Sequence, residues 1–274
     1  MTSPSTDIFS LTDKAVFITG AGGAIGSVLA KSFANAGARV ALHDISLERL
    51  APVKKTIEDA GGRAFPLVAD LTDAAACKNV VDEAHAVLGR LDILVNSAGT
   101  NRRKPIVEIT PEDFDAIVDV NLRSVYFLGQ AARRHMAAQG GGKIVNISSL
   151  SAKFAFNTIS VYAATKAGVS QLTKAMAREW VGDNIQVNCI EPGFIKTEFT
   201  RPLWDDAYRS EWFRNFIPAG RLGTPEDLVG TVFLLSTAAS AYLTGQAIVV
   251  DGGVLSGASW VNPDTLPASA SIKS

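Results

Sequence analysis

Short apolar runs alternate with longer amphipathic stretches along this chain. Seven runs have the length and β-branched content of buried strands, and six intervening stretches repeat apolar positions with helical spacing. The runs are residues 15–19, 39–44, 64–70, 91–96, 143–148, 185–190 and 246–251, and the helical stretches are residues 25–37, 47–60, 73–88, 111–138, 160–182 and 225–238. This alternation predicts a single α/β domain with a doubly wound, parallel seven-stranded sheet and helices on both faces.

The domain organisation follows from length and local composition. With 274 residues, 47% of them apolar, the chain can bury one large core, which we place at residues 11–253. Residues 1–10 are an expected N-terminal extension, and residues 254–274 a tail rich in Ser, Ala and Pro. Residues 194–219 are rich in aromatic and basic side chains and follow the sixth strand, so we expect them to cover a substrate.

Charge and cysteine content narrow the class of protein. A formal net charge of −1 gives no indication of a nucleic-acid or membrane surface. The first ten residues lack the basic and apolar regions of a signal peptide, so we expect a cytoplasmic protein. Cys77 and Cys189 lie far apart without metal-ligand spacing, which argues against a disulfide framework and a zinc site. We therefore expect no metal.

A glycine cluster follows the first predicted strand, in the sequence TGAGGAIG. Gly20, Gly22 and Gly26 would let the backbone turn sharply and let a pyrophosphate approach the N-terminus of the next helix. Loops collect glycine for other reasons, but the strand–turn–helix context favours a dinucleotide site. Asp44 ends the second strand, where a carboxylate would bind an adenosine ribose and repel a 2′-phosphate. With no Arg or Lys inside the turn, we expect NAD rather than NADP.

Tyr162 and Lys166 lie at positions i and i+4 of a predicted helix, so they share one face. A phenol has a pKa of about 10, and a neighbouring cation lowers it, which would make Tyr162 a usable general base. A lone Tyr–Lys pair with this spacing often arises by chance. Here Ser149 lies thirteen residues before Tyr162, and Asn121 lies further upstream. The four residues together indicate an oxidoreductase.

These motifs resemble those of the short-chain dehydrogenase/reductase family, and the resemblance covers about residues 11–253. TGAGGAIG is similar to the family's T-G-x-x-x-G-x-G turn, with Ala24 at its middle glycine. NSAG at 96–99 is similar to N-N-A-G, and EPGFIKT at 191–197 resembles a P-G-x-x-x-T segment near the nicotinamide.

The resemblance implies a role for each matched residue. Ser149 would hold the substrate oxygen, and Tyr162 would exchange its proton. Lys166 would lower the pKa of Tyr162 and bind the nicotinamide ribose, while Asn121 would anchor a water in a proton relay. The implied cofactor contacts are Gly20, Gly22, Ala24, Ile25, Gly26, Asp44, Asp70, Leu71, Asn96, Ala98, Gly99, Tyr162, Lys166, Pro192, Gly193, Ile195 and Thr197.

The substrate is indicated by residues 98–136, which resemble the corresponding stretch of gluconate 5-dehydrogenases and related sugar-acid dehydrogenases. Arg102 and Arg103 follow the fourth strand, where a guanidinium could bind a carboxylate through two hydrogen bonds; both could equally lie on a solvated loop. Glu191 could accept hydrogen bonds from sugar hydroxyls. The full set of substrate-binding candidates is Arg102, Arg103, Ser149, Lys153, Asn157 and Glu191.

Other activities and an assembly state also follow from the resemblance. A dehydrogenase of a neutral sugar or polyol is one alternative, and a 3-oxoacyl carrier-protein reductase is another. The latter usually needs NADPH, which Asp44 disfavours. A non-catalytic nucleotide sensor would typically have lost the Tyr or the Lys. The stretches 111–138 and 160–182 carry more apolar positions than one sheet face needs, and relatives pair these helices, so we expect a homotetramer.

Overall fold

The computed structural model describes residues 8–257, with the side chains of all but residues 199, 202 and 203. Most of the expected N-terminal extension and C-terminal tail therefore lies outside the described residues. Within them, no helix has the length and apolar character needed to cross a membrane.

Seven strands form one sheet in which every neighbouring pair is parallel. The strands are β1 Ala15–Thr19, β2 Arg39–Asp44, β3 Arg63–Val68, β4 Ile93–Asn96, β5 Gly142–Ile147, β6 Ile185–Pro192 and β7 Ala247–Val250. Their order is β3-β2-β1-β4-β5-β6-β7, so the direction of winding reverses between β1 and β4. The predicted fold class is confirmed.

Helices connect the strands and lie against the sheet. Those of the described residues are α1 Ala24–Asn35, α2 Leu47–Asp59, α3 Ala74–Leu88, α4 Pro111–Val118, α5 Ser124–Ala138, α6 Ser160–Trp180, α7 Ala207–Phe216 and α8 Val229–Ser236. The stretch 111–138, predicted as one helix, is divided by a π-helical turn at Asp119–Arg123. The expected helix at 225–238 begins as a 3₁₀ turn before α8.

The core has two parts because successive side chains of a strand point to opposite faces of the sheet. In β1, Val16 and Ile18 pack with α1 and α8 residues on one face. Ala15 and Phe17 pack with residues of α3 and α5 on the other face. All four side chains are fully buried, as expected for a sheet covered on both sides.

This topology determines where a ligand can bind. In parallel sheets with helices on both faces, a crevice opens outside the carboxyl ends of the strands where the winding reverses. Here that crevice lies beyond the ends of β1 and β4, between Thr19 and Asn96. The residues that follow the strands on this edge are therefore the candidates for a functional site.

Candidate active site

The glycine turn between β1 and α1 leaves no room for side chains. Gly20 has φ +65°, and a Cβ there would lie 2.8 Å from the Cα of Ala98. A Cβ on Gly26 would lie 2.2 Å from the carbonyl oxygen of Gly20. Gly23 precedes α1 and no side chain caps the helix, so its N-terminus suits a phosphate group. The geometry fits the predicted pyrophosphate site of a dinucleotide.

Asp44 lies beside this turn with its side chain only 7% exposed. Its Oδ2 accepts a hydrogen bond from the backbone N–H of Gly22 at 3.1 Å, and its Oδ1 accepts one from Ile45 N–H at 2.8 Å. The Nε of Arg49, from the first turn of α2, lies 3.1 Å from Asp44 Oδ1. Sequence reasoning considered only basic residues inside the turn and missed Arg49, which follows the turn by more than twenty residues.

The other predicted cofactor segments also follow strands on the carboxyl edge of the sheet. After β4, the backbone N–H groups of Ser97 and Ala98 donate to Thr19 Oγ1 at 3.1 and 3.2 Å, which joins this segment to β1. After β6, a Cβ on Gly193 would lie 2.6 Å from the Cα of Asp251, so close backbone packing requires a glycine there. The predicted residues at these strand ends are Asp70, Leu71, Asn96, Ala98, Gly99, Pro192, Gly193, Ile195 and Thr197.

The structure brings Ser149, Tyr162 and Lys166 together. Ser149 follows β5, and its side chain is hydrogen-bonded to that of Tyr162. Tyr162 and Lys166 lie one turn apart on α6, with the Lys166 Nζ 5.6 Å from the centroid of the Tyr162 ring. That Nζ donates to the carbonyl oxygen of Ile147 at 2.8 Å. The serine–tyrosine–lysine arrangement is the one that the sequence motifs predicted.

Asn121 lies in the π-helical turn and is fully buried. Its Oδ1 accepts from Thr100 N–H at 2.8 Å, and its Nδ2 donates to the Thr100 carbonyl at 2.9 Å and to Thr165 Oγ1 at 3.3 Å. The amide thus connects the segment after β4 to α6, next to the tyrosine and lysine. π-Helical turns are frequent at functional sites. The expected water relay at Asn121 stays a prediction.

The pKa of Tyr162 reflects its burial and two neighbouring side chains. Burial raises the pKa of Tyr162, and the hydrogen bond from Ser149 and the charge of Arg103 oppose that rise. Burial also lowers the pKa of Lys166 to about 8. The expected effect of Lys166 on the pKa of Tyr162 stays a prediction. Lys166 is itself desolvated and hydrogen-bonded to Ile147.

The structure distinguishes the two arginines of the predicted anion site. Burial lowers the pKa of the Arg103 guanidinium, while the neighbouring Tyr162 raises it. Over the whole residue, Arg102 and Arg103 are both exposed, so the desolvation of the Arg103 guanidinium is partial. Of the two, Arg103 is the one whose charge acts on Tyr162.

Glu191 and Lys153 form an ion pair next to the serine and tyrosine segments. Glu191 is fully buried, and its Oε2 lies 2.8 Å from the Nζ of Lys153, whose side chain is 48% exposed. This approach is a charge contact rather than a well-aligned hydrogen bond, because Oε2 has no donor in hydrogen-bonding geometry. Glu191 Oε1 accepts from Ser170 Oγ at 2.8 Å, and Ser170 Oγ lies 2.9 Å from Ser148 Oγ.

This burial corrects the expected role of Glu191. The Glu191 carboxylate has no accessible surface and is held by Lys153 and Ser170, so neither oxygen is exposed to a sugar hydroxyl even though Oε2 accepts no hydrogen bond. Lys153 keeps half of its side chain exposed, and Asn157 is exposed on the same segment. Both therefore remain substrate-binding candidates.

Aromatic rings connect α7 to the segment between Ser149 and Tyr162. Trp212 stacks on Phe216 with ring centroids 4.6 Å apart. The Phe216 centroid lies 6.3 Å from that of Phe154, and the Phe194 centroid lies 5.3 Å from that of Phe156. This packing accounts for much of the aromatic content of residues 194–219 and places them over the serine–tyrosine segment.

No group of three or more His, Cys, Asp or Glu side chains among residues 8–257 is arranged to hold a metal ion. Cys77 and Cys189 are both buried, free thiols.

Comparison with known proteins identifies the family. A family model described as enoyl-(acyl carrier protein) reductase matches residues 20–255. Gluconate 5-dehydrogenase of Gluconobacter oxydans is 40% identical, over 90% of this chain and 97% of its own. The 3-oxoacyl-[acyl-carrier-protein] reductase of Thermotoga maritima is also 40% identical, over 89% of this chain and 99% of its own.

A solved structure shows the same similarity. The crystal structure of a gluconate 5-dehydrogenase from Burkholderia cenocepacia in complex with NADP and tartrate is 41% identical, with a TM-score of 0.88. The match covers 92% of this chain and 99% of that one. Fold, site and similarity over most of the chain agree: the protein belongs to the short-chain dehydrogenase/reductase family, NAD(P)-dependent oxidoreductases that act on CH–OH groups.

Proposed function

We propose that this protein interconverts a secondary alcohol and a ketone of a sugar acid, with NAD as its cofactor and Tyr162 as general acid and base. The observation that carries the proposal is the Ser149–Tyr162–Lys166 arrangement at the carboxyl edge of the sheet, with the Lys166 Nζ 5.6 Å from the Tyr162 ring centroid and the charge of Arg103 acting on Tyr162. A cation beside the reacting group suits a substrate that carries a carboxylate. The gluconate 5-dehydrogenase similarity supports the same substrate class.

The residues at the carboxyl edge fit a nicotinamide dinucleotide. The glycine cradle and the uncapped N-terminus of α1 would hold the pyrophosphate, and Asp44 would accept hydrogen bonds from the adenosine ribose. When bound, the nicotinamide supplies or accepts the hydride at the substrate carbon. Asp44 supports NAD because a 2′-phosphate beside its carboxylate would be repelled.

Each member of the site then has a separate task. Ser149 and Tyr162 would both hydrogen-bond the substrate oxygen, since their side chains already lie within hydrogen-bonding distance of each other. Tyr162 removes the hydroxyl proton in oxidation and returns it in reduction. Lys166 uses one of its three N–H donors on Ile147, which leaves two for the nicotinamide ribose. Asn121 fixes the segment after β4 against α6.

A substrate panel tests the proposed activity. We expect the highest kcat/KM, measured by the absorbance of the reduced cofactor, with gluconate-like acids and their keto forms. Neutral sugars should follow, and 3-oxoacyl thioesters should be poor substrates. Faster reduction of the thioesters, with NADPH, would instead identify a carrier-protein reductase, an activity named for one relative of similar identity.

We also propose a homotetramer that uses the outer faces of α5 and α6. A groove of about 440 Å³ lies between these helices, lined by Tyr126, Leu172, Met176 and Trp180 among others. Tyr126 is 47% exposed, so its ring is available for contact with a second copy of the chain. Light scattering at micromolar concentration should give four times the chain mass. A monomer at that concentration would contradict the proposal.

A further inference from the structure

Glu191 is a charged residue at a position where the strand pattern predicts an apolar one. Alternate residues of β6 face α6, and Val187 and Cys189 are buried in that row. Glu191 is the next residue of the same row and is also fully buried. Burial of a carboxylate costs free energy, and a buried ion pair is weak evidence for stability. What Glu191 contributes is therefore best judged by the elements that it connects.

One of these elements is the turn that follows Ser149. This single 3₁₀ turn, Leu150–Ala152, ends at Lys153, whose backbone N–H donates to the Leu150 carbonyl oxygen at 3.0 Å. The Nζ of Lys153 lies 2.8 Å from Glu191 Oε2. Because only one turn of backbone separates Ser149 from Lys153, the ion pair fixes the far end of the turn that presents the Ser149 hydroxyl.

The other element is α6, which carries Tyr162 and Lys166. Ser170 lies one turn after Lys166, and its Oγ donates to Glu191 Oε1 at 2.8 Å. Ser148 Oγ lies 2.9 Å from Ser170 Oγ and donates to the backbone carbonyl oxygen of Lys166 at 2.8 Å. Glu191 and the two serines therefore join the carboxyl ends of β5 and β6 to the turn of α6 on which Lys166 lies.

We propose that Glu191 is a positioning residue for the reaction, which holds the Ser149 turn at a fixed separation from α6 so that Ser149 keeps its hydrogen bond to Tyr162. The inference rests on the proposed role of Tyr162 as general acid and base. That hydrogen bond and the charge of Arg103 lower the pKa of Tyr162, against the rise caused by burial. Without the hydrogen bond, the pKa of Tyr162 should rise further and less phenolate should be present at a given pH.

Glu191→Gln tests the inference, because the amide keeps the volume and an oxygen for Ser170 but loses the ion pair with Lys153. We expect kcat for oxidation at neutral pH to fall by about ten- to a hundredfold, with KM changed by less than about twofold. The increase of kcat with pH should move to higher pH, since the pKa of Tyr162 rises. Ser170→Ala cuts the contact with α6 and should change kcat and its pH dependence in the same direction, which gives a second test should Glu191→Gln fail to fold.

Asp92→Asn is the matched control. The Asp92 side chain is 12% exposed, pairs with Arg90 Nη2 at 2.6 Å and accepts a hydrogen bond from Ala15 N–H at 2.9 Å. Asp92 precedes β4, at the edge of the sheet away from the active site. The same change from carboxylate to amide should therefore lower the melting temperature but leave kcat, KM and the pH dependence of kcat as in the wild type.

Three results would overturn the inference. The first is a wild-type kcat and pH profile in Glu191→Gln or Ser170→Ala. The second is a higher KM for sugar acids at unchanged kcat, which would assign Glu191 to substrate binding through Lys153. The third is an equal shift of the pH profile in Asp92→Asn. All three would leave the proposed function standing, whereas a wild type that oxidised no substrate of the panel would remove that function together with the role of Glu191.

Discussion

Tyr162→Phe should lower kcat by about 10²- to 10⁴-fold, the contribution typical of general acid–base catalysis. The substitution removes the ionisable hydroxyl but keeps the ring, which the Lys166 ammonium approaches to 5.6 Å. Because the glycine cradle and Asp44 are untouched, the affinity for NAD should change little. Steady-state kinetics together with a cofactor titration measure both quantities.

Tyr242→Phe provides the control for the loss of a phenol elsewhere. Tyr242 is fully exposed in the loop before β7, so this variant should turn over substrate at the wild-type rate. The wild-type rate of oxidation should also rise with pH above neutrality, because burial raises the pKa of Tyr162 and oxidation needs its phenolate. Near-normal turnover by Tyr162→Phe would rule out the proposed mechanism.

Arg103→Ala should reduce kcat/KM for sugar acids by about ten- to a hundredfold. The change removes a charge-assisted hydrogen bond to the substrate carboxylate at a partly desolvated position, a loss of roughly 1.5–3 kcal/mol. Neutral sugars make no such bond, so their kcat/KM should fall much less. Gluconate-like acids and the corresponding neutral sugars should be compared in the same assay.

Arg102→Ala is the natural partner experiment, since it removes the same charge from the adjacent residue, whereas the charge that acts on Tyr162 is that of Arg103. Its kinetics should remain close to those of the wild type for both substrate classes. If Arg103→Ala lowered kcat/KM equally for acids and neutral sugars, this arginine would support the protein structure or act on Tyr162, and it would not bind the substrate carboxylate. No loss on either class would favour a neutral sugar or polyol as substrate.

The fold and the reacting residues could be predicted because their signals are local. A strand needs only a short apolar run, and Tyr162 and Lys166 meet because four residues make about one helical turn. The π-helical turn at Asp119–Arg123 escaped prediction for a related reason. One extra residue in a turn barely alters the apolar spacing of residues 111–138, and the turn is revealed by the hydrogen bond from Ser124 N–H to the carbonyl oxygen of Asp119, five residues earlier.

Interactions between distant segments escaped prediction because local sequence does not contain them. Glu191 follows the strand predicted at residues 185–190, so the sequence alone favoured contact with substrate. Its charge partner, Lys153, belongs to a different segment of the chain. Arg49 was likewise missed because its contact with Asp44 crosses the loop between β2 and α2. In both cases the unforeseen partner is a basic side chain that contacts the predicted carboxylate.

The Lys153–Glu191 pair has a consequence for how this site can evolve. Loss of one partner from a fully buried ion pair costs about 3–5 kcal/mol, and somewhat less here because Lys153 is half exposed. Most domains have only about 5–15 kcal/mol of stability, so a change at either position alone would be poorly tolerated. Replacement of both by apolar residues is often neutral. Lineages that alter this part of the pocket are therefore expected to exchange the two residues together, and co-variation of the two positions would mark where substrate preference has diverged.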